Sequence, residues 1–220
     1  MARRAKIDEV TATAYHEAGH GFTAWRFRRP IRSLTIIPSG TAAGEIQNDP
    51  DEDLVHTVRV WELMAHAGCP VVFETPSPED LQAVLDGIAR CLAGPVAQDI
   101  VEGHRDQRKT TRFYRQCARG GDRDLSDAYR YARALCQGDD QEADALVEWL
   151  QRRTHRLLSM DWAVVEQLAA ALLKHRYLDG PKAEAVCQEA AAAKWRDTSS
   201  PDAERLLDAM LASVSTSTGG

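Results

Sequence analysis

The stretch "AYHEAGHGFTAW", residues 14–25, decides how this chain folds and what chemistry it can carry. Ala14, Ala18, Phe22 and Trp25 recur at helical spacing with Pro30 beyond them, so the pattern predicts one helix over residues 8–27. Successive helical residues are about 100° apart, which brings His16 and His20 to one face with Glu17 next round it. Two imidazoles at that spacing reach one cation, and the glutamate can touch a water on that cation without displacing it. This is the physical logic of HExxH as a zinc site with a general base beside it. Zinc lowers the pKa of its water towards about 7, and the carboxylate takes the proton as the water attacks a carbonyl. The rival reading is three polar residues falling on a helix by chance. Gly19 and Gly21 favour the site, because a glycine inside a helix costs about 1 kcal/mol relative to alanine and implies that something approaches the backbone closely.

A catalytic zinc needs a third protein ligand. An extended motif with Gly at position 23 and His at position 26 is excluded by Thr23 and Arg26. Glu45 and the carboxylates of "NDPDED" fall in a strand and an acidic loop. The better source is "GGDRDLSDAYRYARAL", residues 120–135, where a helix follows a glycine turn.

The rest of the chain bounds the answer. Its 220 residues are 44% hydrophobic and 27% charged with a formal net charge of -6, which suits a soluble globular protein and argues against wholesale nucleic-acid binding. The opening "MARRAKIDEV" has no apolar stretch behind it, so a signal peptide is not expected, and no apolar run approaches the length of a membrane span. The five cysteines form no CxxC pair, which favours reduced thiols and a cytoplasmic location.

"IRSLTIIP" (31–38) and "TAAGEIQ" (41–47) read as a small β-unit, 54–67 as a helix and "VVFE" as a short strand. From Ser77 onward the pattern is helical, with Ser77 as N-cap, Pro78 at the first position and Asp80 closing a capping box. Further helices are expected near 123–137, 141–159, 161–175, 181–194 and 201–213, before a disordered tail at 215–220. The basic segment "HRDQRKTTRFYRQCARGG" reads as a solvated loop rather than a nucleic-acid patch. His104, His155 and His175 read as solvated, and Trp149, Leu150, Leu157, Leu158, Val164, Val165, Leu168 and Leu172 as core. The fold class expected is mainly α with a small β-unit near the N-terminus.

Taken in order, "TATAYHEAGHGFTAW", "IRSLTIIPSGTAAGEIQ", "LDGIARCLAGPVAQDIVEG" and "GGDRDLSDAYRYARAL" resemble the peptidase domain of FtsH, and residues 145–186 resemble its C-terminal helices. The resemblance covers roughly residues 8–47 and 77–187, and implies one FtsH-like domain over 1–214, with the motif helix and β-unit in 7–76 and the helical remainder in 77–214. It implies Zn2+ held by His16, His20 and Asp124, Glu17 as general base, and Asp99 as a carboxylate supporting the site from behind the ligands. It also implies that Thr41, Ala42, Ala43, Gly44, Glu45 and Ile46 offer a strand edge to a polypeptide substrate, paired through main-chain hydrogen bonds. Asp122, which suits an N-cap, and Asp127, which suits a first-turn carboxylate, compete with Asp124 for the third ligand position.

The departures from that family bear on function. FtsH-type proteases carry a membrane anchor and an ATPase module ahead of the peptidase domain, whereas this sequence has no phosphate-binding glycine loop. Gly94-Pro95-Val96-Ala97-Gln98-Asp99 puts proline where the family usually has arginine, and only Asp99 keeps the charge of an acidic pair. The expectation is a soluble zinc metallopeptidase that cuts flexible polypeptides without ATP, with a separate ATPase partner and a homo-oligomer both left open. The alternative is an inactive binding or regulatory protein that retains the fold, with or without the zinc.

Overall fold

The computed structural model describes residues 7–38, 44–48, 58, 77–103 and 122–198. Among them run α1 (Glu9–Arg26), β1 (Ile31–Thr35), β2 (Glu45–Asn48), α2 (Pro78–Glu102), α3 (Arg123–Leu135), α4 (Asp140–Met160), α5 (Trp162–His175), β3 (Tyr177–Asp179) and α6 (Gly180–Thr198). The fold is mainly α with one small sheet, as expected. No helix among the described residues is long and apolar enough to cross a membrane.

α1 starts where Asp8 accepts hydrogen bonds from the Thr11 backbone N–H at 2.9 Å and from its hydroxyl at 2.7 Å. It stops at Phe27, after which Arg28 turns left-handed at φ 58° ahead of Pro30. Ala14, Ala18 and Phe22 are fully buried, and Trp25 packs at the rim against Phe22. α1 therefore lies in the middle of the molecule, against α2 on one side and α5 on the other. The glycines in it answer to close neighbours. A Cβ at Gly19 would lie 2.4 Å from the Ala93 carbonyl oxygen and 2.7 Å from the Ala97 Cβ on α2, and one at Gly21 would lie 2.7 Å from Leu34.

β1 is the central strand. It pairs antiparallel with β2, Leu34 opposite Ile46 and Thr35 opposite Glu45, and on its other side with β3, Leu34 opposite Leu178. The sequence gives no sign of β3, because three residues are too few to show an alternating pattern. They become a strand only because β1 has an open edge where α5 ends at left-handed Arg176. The β-unit is thus closed by a segment more than a hundred residues away from it in the chain.

The other elements fall close to their expected bounds. Ser77 caps α2, but Asp80 accepts from the Ser77 hydroxyl at 2.9 Å, whereas a reciprocal box would have it bond the cap's backbone N–H. α2 runs unbroken through Pro95, although proline there removes the N–H that would meet the Cys91 carbonyl. Leu150, Leu158, Val164, Val165, Leu168 and Leu172 are buried and Leu157 packs partly, as expected, but Trp149 is 48% exposed. Adjacent helical residues point about 100° apart, so Leu150 takes the core and Trp149 lies outside beneath Arg153, 5.0 Å from its guanidinium. His175 is exposed as read, whereas His155 is half-buried, and burial lowers its pKa. Cys91, Cys136 and Cys187 are free thiols. Of the expected helix at 54–67 only Val58 is described, helical and buried in the core. The expected helix at 201–213, the "VVFE" strand, the basic loop with His104, and the tail lie outside the described residues.

Candidate metal centre

The site is built on three helices. α1 brings His16 and His20 to one face with Nε2 atoms 3.1 Å apart. Asp124 enters from the first turn of α3, and its Oδ2 stands 3.0 Å from His16 Nε2 and 3.1 Å from His20 Nε2. Asp122 is the N-cap of α3, with its carboxylate committed to the Leu125 N–H at 3.0 Å. Asp127 sits one turn further on, 3.6 Å from Arg130, so the first-turn carboxylate is Asp124 and not Asp127. Of the three aspartates, the fold brings only Asp124 to the histidines.

The donor set suits a cation. His20 Nδ1 lies 2.8 Å from the Arg90 carbonyl of α2. A carbonyl only accepts, so Nδ1 carries the proton, and a neutral ring then turns the lone pair of Nε2 inward. That lone pair, the Asp124 oxygen and His16 Nε2 converge on one point, an arrangement that repels itself unless a proton or a metal ion lies between. The triangle edges of 3.0–3.1 Å fall just below the edge of about 3.3 Å that a tetrahedral zinc site with bonds of about 2.0–2.1 Å would have. Backbone support of a ligand imidazole is also the usual second layer of a metal site. Without metal the same groups settle as an ion pair. Burial works against the charged His20 ring, but Asp124, the hydrogen bond to it and Glu17 push its pKa up to about 9. Asp124 is correspondingly held well below the usual carboxylate range by the two histidines, against its own burial.

Glu17 is 4% exposed, and its Oε2 has no hydrogen-bond partner among the described residues. Burial pushes its pKa up, while the nearby histidines pull it partly back. A buried carboxylate with one uncommitted oxygen beside a metal-ligand cluster suits a general base awaiting a water. Gly44 passes directly over it: a Cβ there would lie 2.8 Å from Glu17 Oε1 and 2.9 Å from Thr13 Cγ2. Glu45 and Ile46 follow in β2, Glu45 exposed and close enough to Glu17 to raise its pKa slightly. Thr41, Ala42 and Ala43 lie outside the described residues.

Asp99 falls in the last turn of α2, where it acts on His155 of α4 and partly offsets the lowering of that ring's pKa by burial. It is five residues beyond Gly94, about 140° round the helix from the glycine that faces the two histidines. Sequence reasoning missed two parts of the site. The Arg90 main-chain carbonyl leaves no trace in the sequence. Gly94 does leave one, as a glycine in mid-helix next to a proline, but nothing local says that it faces His16 and His20.

Comparison with known proteins puts this geometry in context. The ATP-dependent zinc metalloprotease FtsH of Syntrophobacter fumaroxidans is 29% identical over 198 residues, which covers 82% of this chain and 29% of that protein. FtsH 1 of Symbiobacterium thermophilum is 30% identical over 204 residues, covering 84% and 30% respectively. A mitochondrial inner membrane m-AAA protease component of Mus musculus is 28% identical over 179 residues, covering 78% and 21%. The chain spans less than a third of the length of these relatives. No family model matches it. Similarity that runs through most of the chain, to several relatives of one kind, identifies it as an FtsH-type peptidase-like domain.

Proposed function

We propose that the chain is a zinc-dependent endopeptidase that hydrolyses peptide bonds in flexible or unfolded polypeptides. The observation that carries this reading is the convergence of His16, His20 and Asp124 within 3.1 Å of one another, with a carboxylate oxygen of Glu17, unpartnered among the described residues, buried beside them. His16 and His20 would hold the ion through Nε2 and Asp124 through its carboxylate, with the Arg90 carbonyl keeping the His20 ring in the right tautomer. Bound there, zinc would polarise the scissile carbonyl and acidify a water.

The chain's own residues do the rest. Glu17 takes the water's proton as its oxygen attacks the carbonyl carbon. The C–N bond then breaks as Glu17 passes that proton to the leaving amine, so one peptide and one water become a carboxylic acid and an amine. β2 is an outer strand of the sheet, and the stretch from Thr41 to Ile46 would pair with an extended substrate by main-chain hydrogen bonds. Asp99 would tune the site from a distance. In this reading residues 1–214 form one domain that works in the cytoplasm, alone or as a homo-oligomer. Compact substrates would need an ATPase supplied from outside these residues.

The test is a pair of variants assayed on casein with bound zinc measured in parallel. Glu17→Gln should keep the zinc and lose about 10²–10⁴-fold in rate, because the amide cannot accept the proton. His16→Ala should lose zinc and activity together. Equal activity in Glu17→Gln and the wild type would remove the mechanism. A zinc-loaded wild type inert towards casein and short peptides would point instead to a zinc-holding binding or regulatory protein.

A further inference from the structure

Gly94 lies in the middle of α2, where a glycine costs helix stability, and it is fully enclosed. Its neighbours explain why it is there. A Cβ at position 94 would stand 2.3 Å from His20 Nε2, 2.6 Å from His16 Nε2 and 2.7 Å from His16 Cδ2. The other close glycine of this crossing, Gly19, meets the backbone and a methyl of α2, so its role is to let two helices approach. What Gly94 meets is different: the two imidazole rings that face Asp124, and within its first three contacts nothing else.

Those distances have a chemical meaning. Zinc–imidazole bonds are about 2.0–2.1 Å long, so a methyl carbon at 2.3 and 2.6 Å would occupy nearly the volume that an ion needs. The rings could not simply swing aside. His20 is 7% exposed and tied through Nδ1 to the Arg90 carbonyl, one turn before Gly94 on the same helix. His16 packs edge-on against it, with ring centroids 4.8 Å apart.

We infer that Gly94 is a positioning residue of the metal centre: its missing side chain leaves open the space between His16 Nε2 and His20 Nε2 in which the ion sits. α2 then serves the site twice, orienting His20 with the Arg90 carbonyl and leaving a hole at Gly94. The inference rests on the zinc reading above. It adds that the site depends on an atom the chain leaves out.

Gly94→Ala tests it. Zinc affinity, measured on the whole chain by competition with a chromogenic chelator, should fall by about 100-fold or more, the upper end of what disturbing a ligand's surroundings does. The purely structural role is separated by a second comparison, made without metal in a His16→Ala/His20→Ala background. There the added methyl meets neither ring, so Gly94→Ala should melt at or above its parent, as alanine in a helix does against glycine. Zinc affinity equal to the wild type's would overturn the inference alone. So would an equal drop in melting temperature with and without the two rings, which would assign Gly94 to helix packing. A wild type that binds no zinc would overturn the zinc reading, and this inference with it.

Discussion

Gly19→Ala should weaken both the fold and the proposed metal centre, and the structure sets the size of the effect. The new Cβ would stand 2.4 Å from the Ala93 carbonyl oxygen, about 1 Å inside ordinary contact, and 2.7 Å from the Ala97 Cβ. Neither obstacle can rotate away, since one is backbone and the other a methyl fixed to it, so α1 and α2 must separate by roughly that 1 Å. Overpacking of this kind costs about 1–3 kcal/mol, and an unyielding obstacle puts it at the upper end. Alanine's better helix propensity returns about 1 kcal/mol. The net loss is then about 2 kcal/mol, which for a domain of this size lowers the melting temperature by about 4–8 °C. The same separation reaches the proposed ligands. His16 and His20 ride on α1, while Asp124 rides on α3, which packs on α2, so a shift of about 1 Å exceeds the tolerance of about 0.2 Å for metal-ligand distances. Scanning calorimetry on metal-free protein and chelator competition on the loaded form measure the two effects. A variant that melts no lower than the wild type and binds zinc equally well would refute the close helix crossing on which the site geometry depends.

Two further outcomes are expected. In metal-free protein, against burial, Asp124 and Glu17 push the His20 pKa up to about 9, so an ion bound there would have to displace its proton at neutral pH. Apparent affinity should therefore climb about tenfold per pH unit from 7 and level off above about 9, with proton release seen by calorimetry in two buffers, and an affinity flat over that range would contradict the His20–Asp124 pairing. The sign for metal-free stability is the opposite, since a raised histidine pKa stabilises fully below 6.5 and is lost as pH rises through about 9. Asp99→Asn should lower the pKa of His155 further, because Asp99 now holds it up against burial. An NMR titration of His155 unchanged by that substitution would displace Asp99 from the position described.

How far the sequence could be read depended on whether the cause lay within a few residues. The helix periodicity of 8–27, the caps at Ser77 and Asp122 and the pairing of His16 with His20 were legible because each follows from bonds or angles spanning four residues or fewer. The pattern also implied that Gly19 and Gly21 face something close, without naming Ala93, Ala97 and Leu34. Which aspartate joins the histidines was legible only through the resemblance of the segment around Asp124 to a known family, since three aspartates within six residues suit that place equally by type. Tertiary structure made the choice: the N-cap geometry commits Asp122 to Leu125, the helix turn carries Asp127 to Arg130, and Asp124 alone is brought to the histidines. β3, the Arg90 carbonyl and the void at Gly94 were beyond any local reading for the same reason. A strand of three residues exists because another strand's edge is open. A carbonyl comes to hold the His20 ring because a helix seventy residues on is packed against α1, and position 94 is a glycine because two imidazoles occupy the space a side chain would fill.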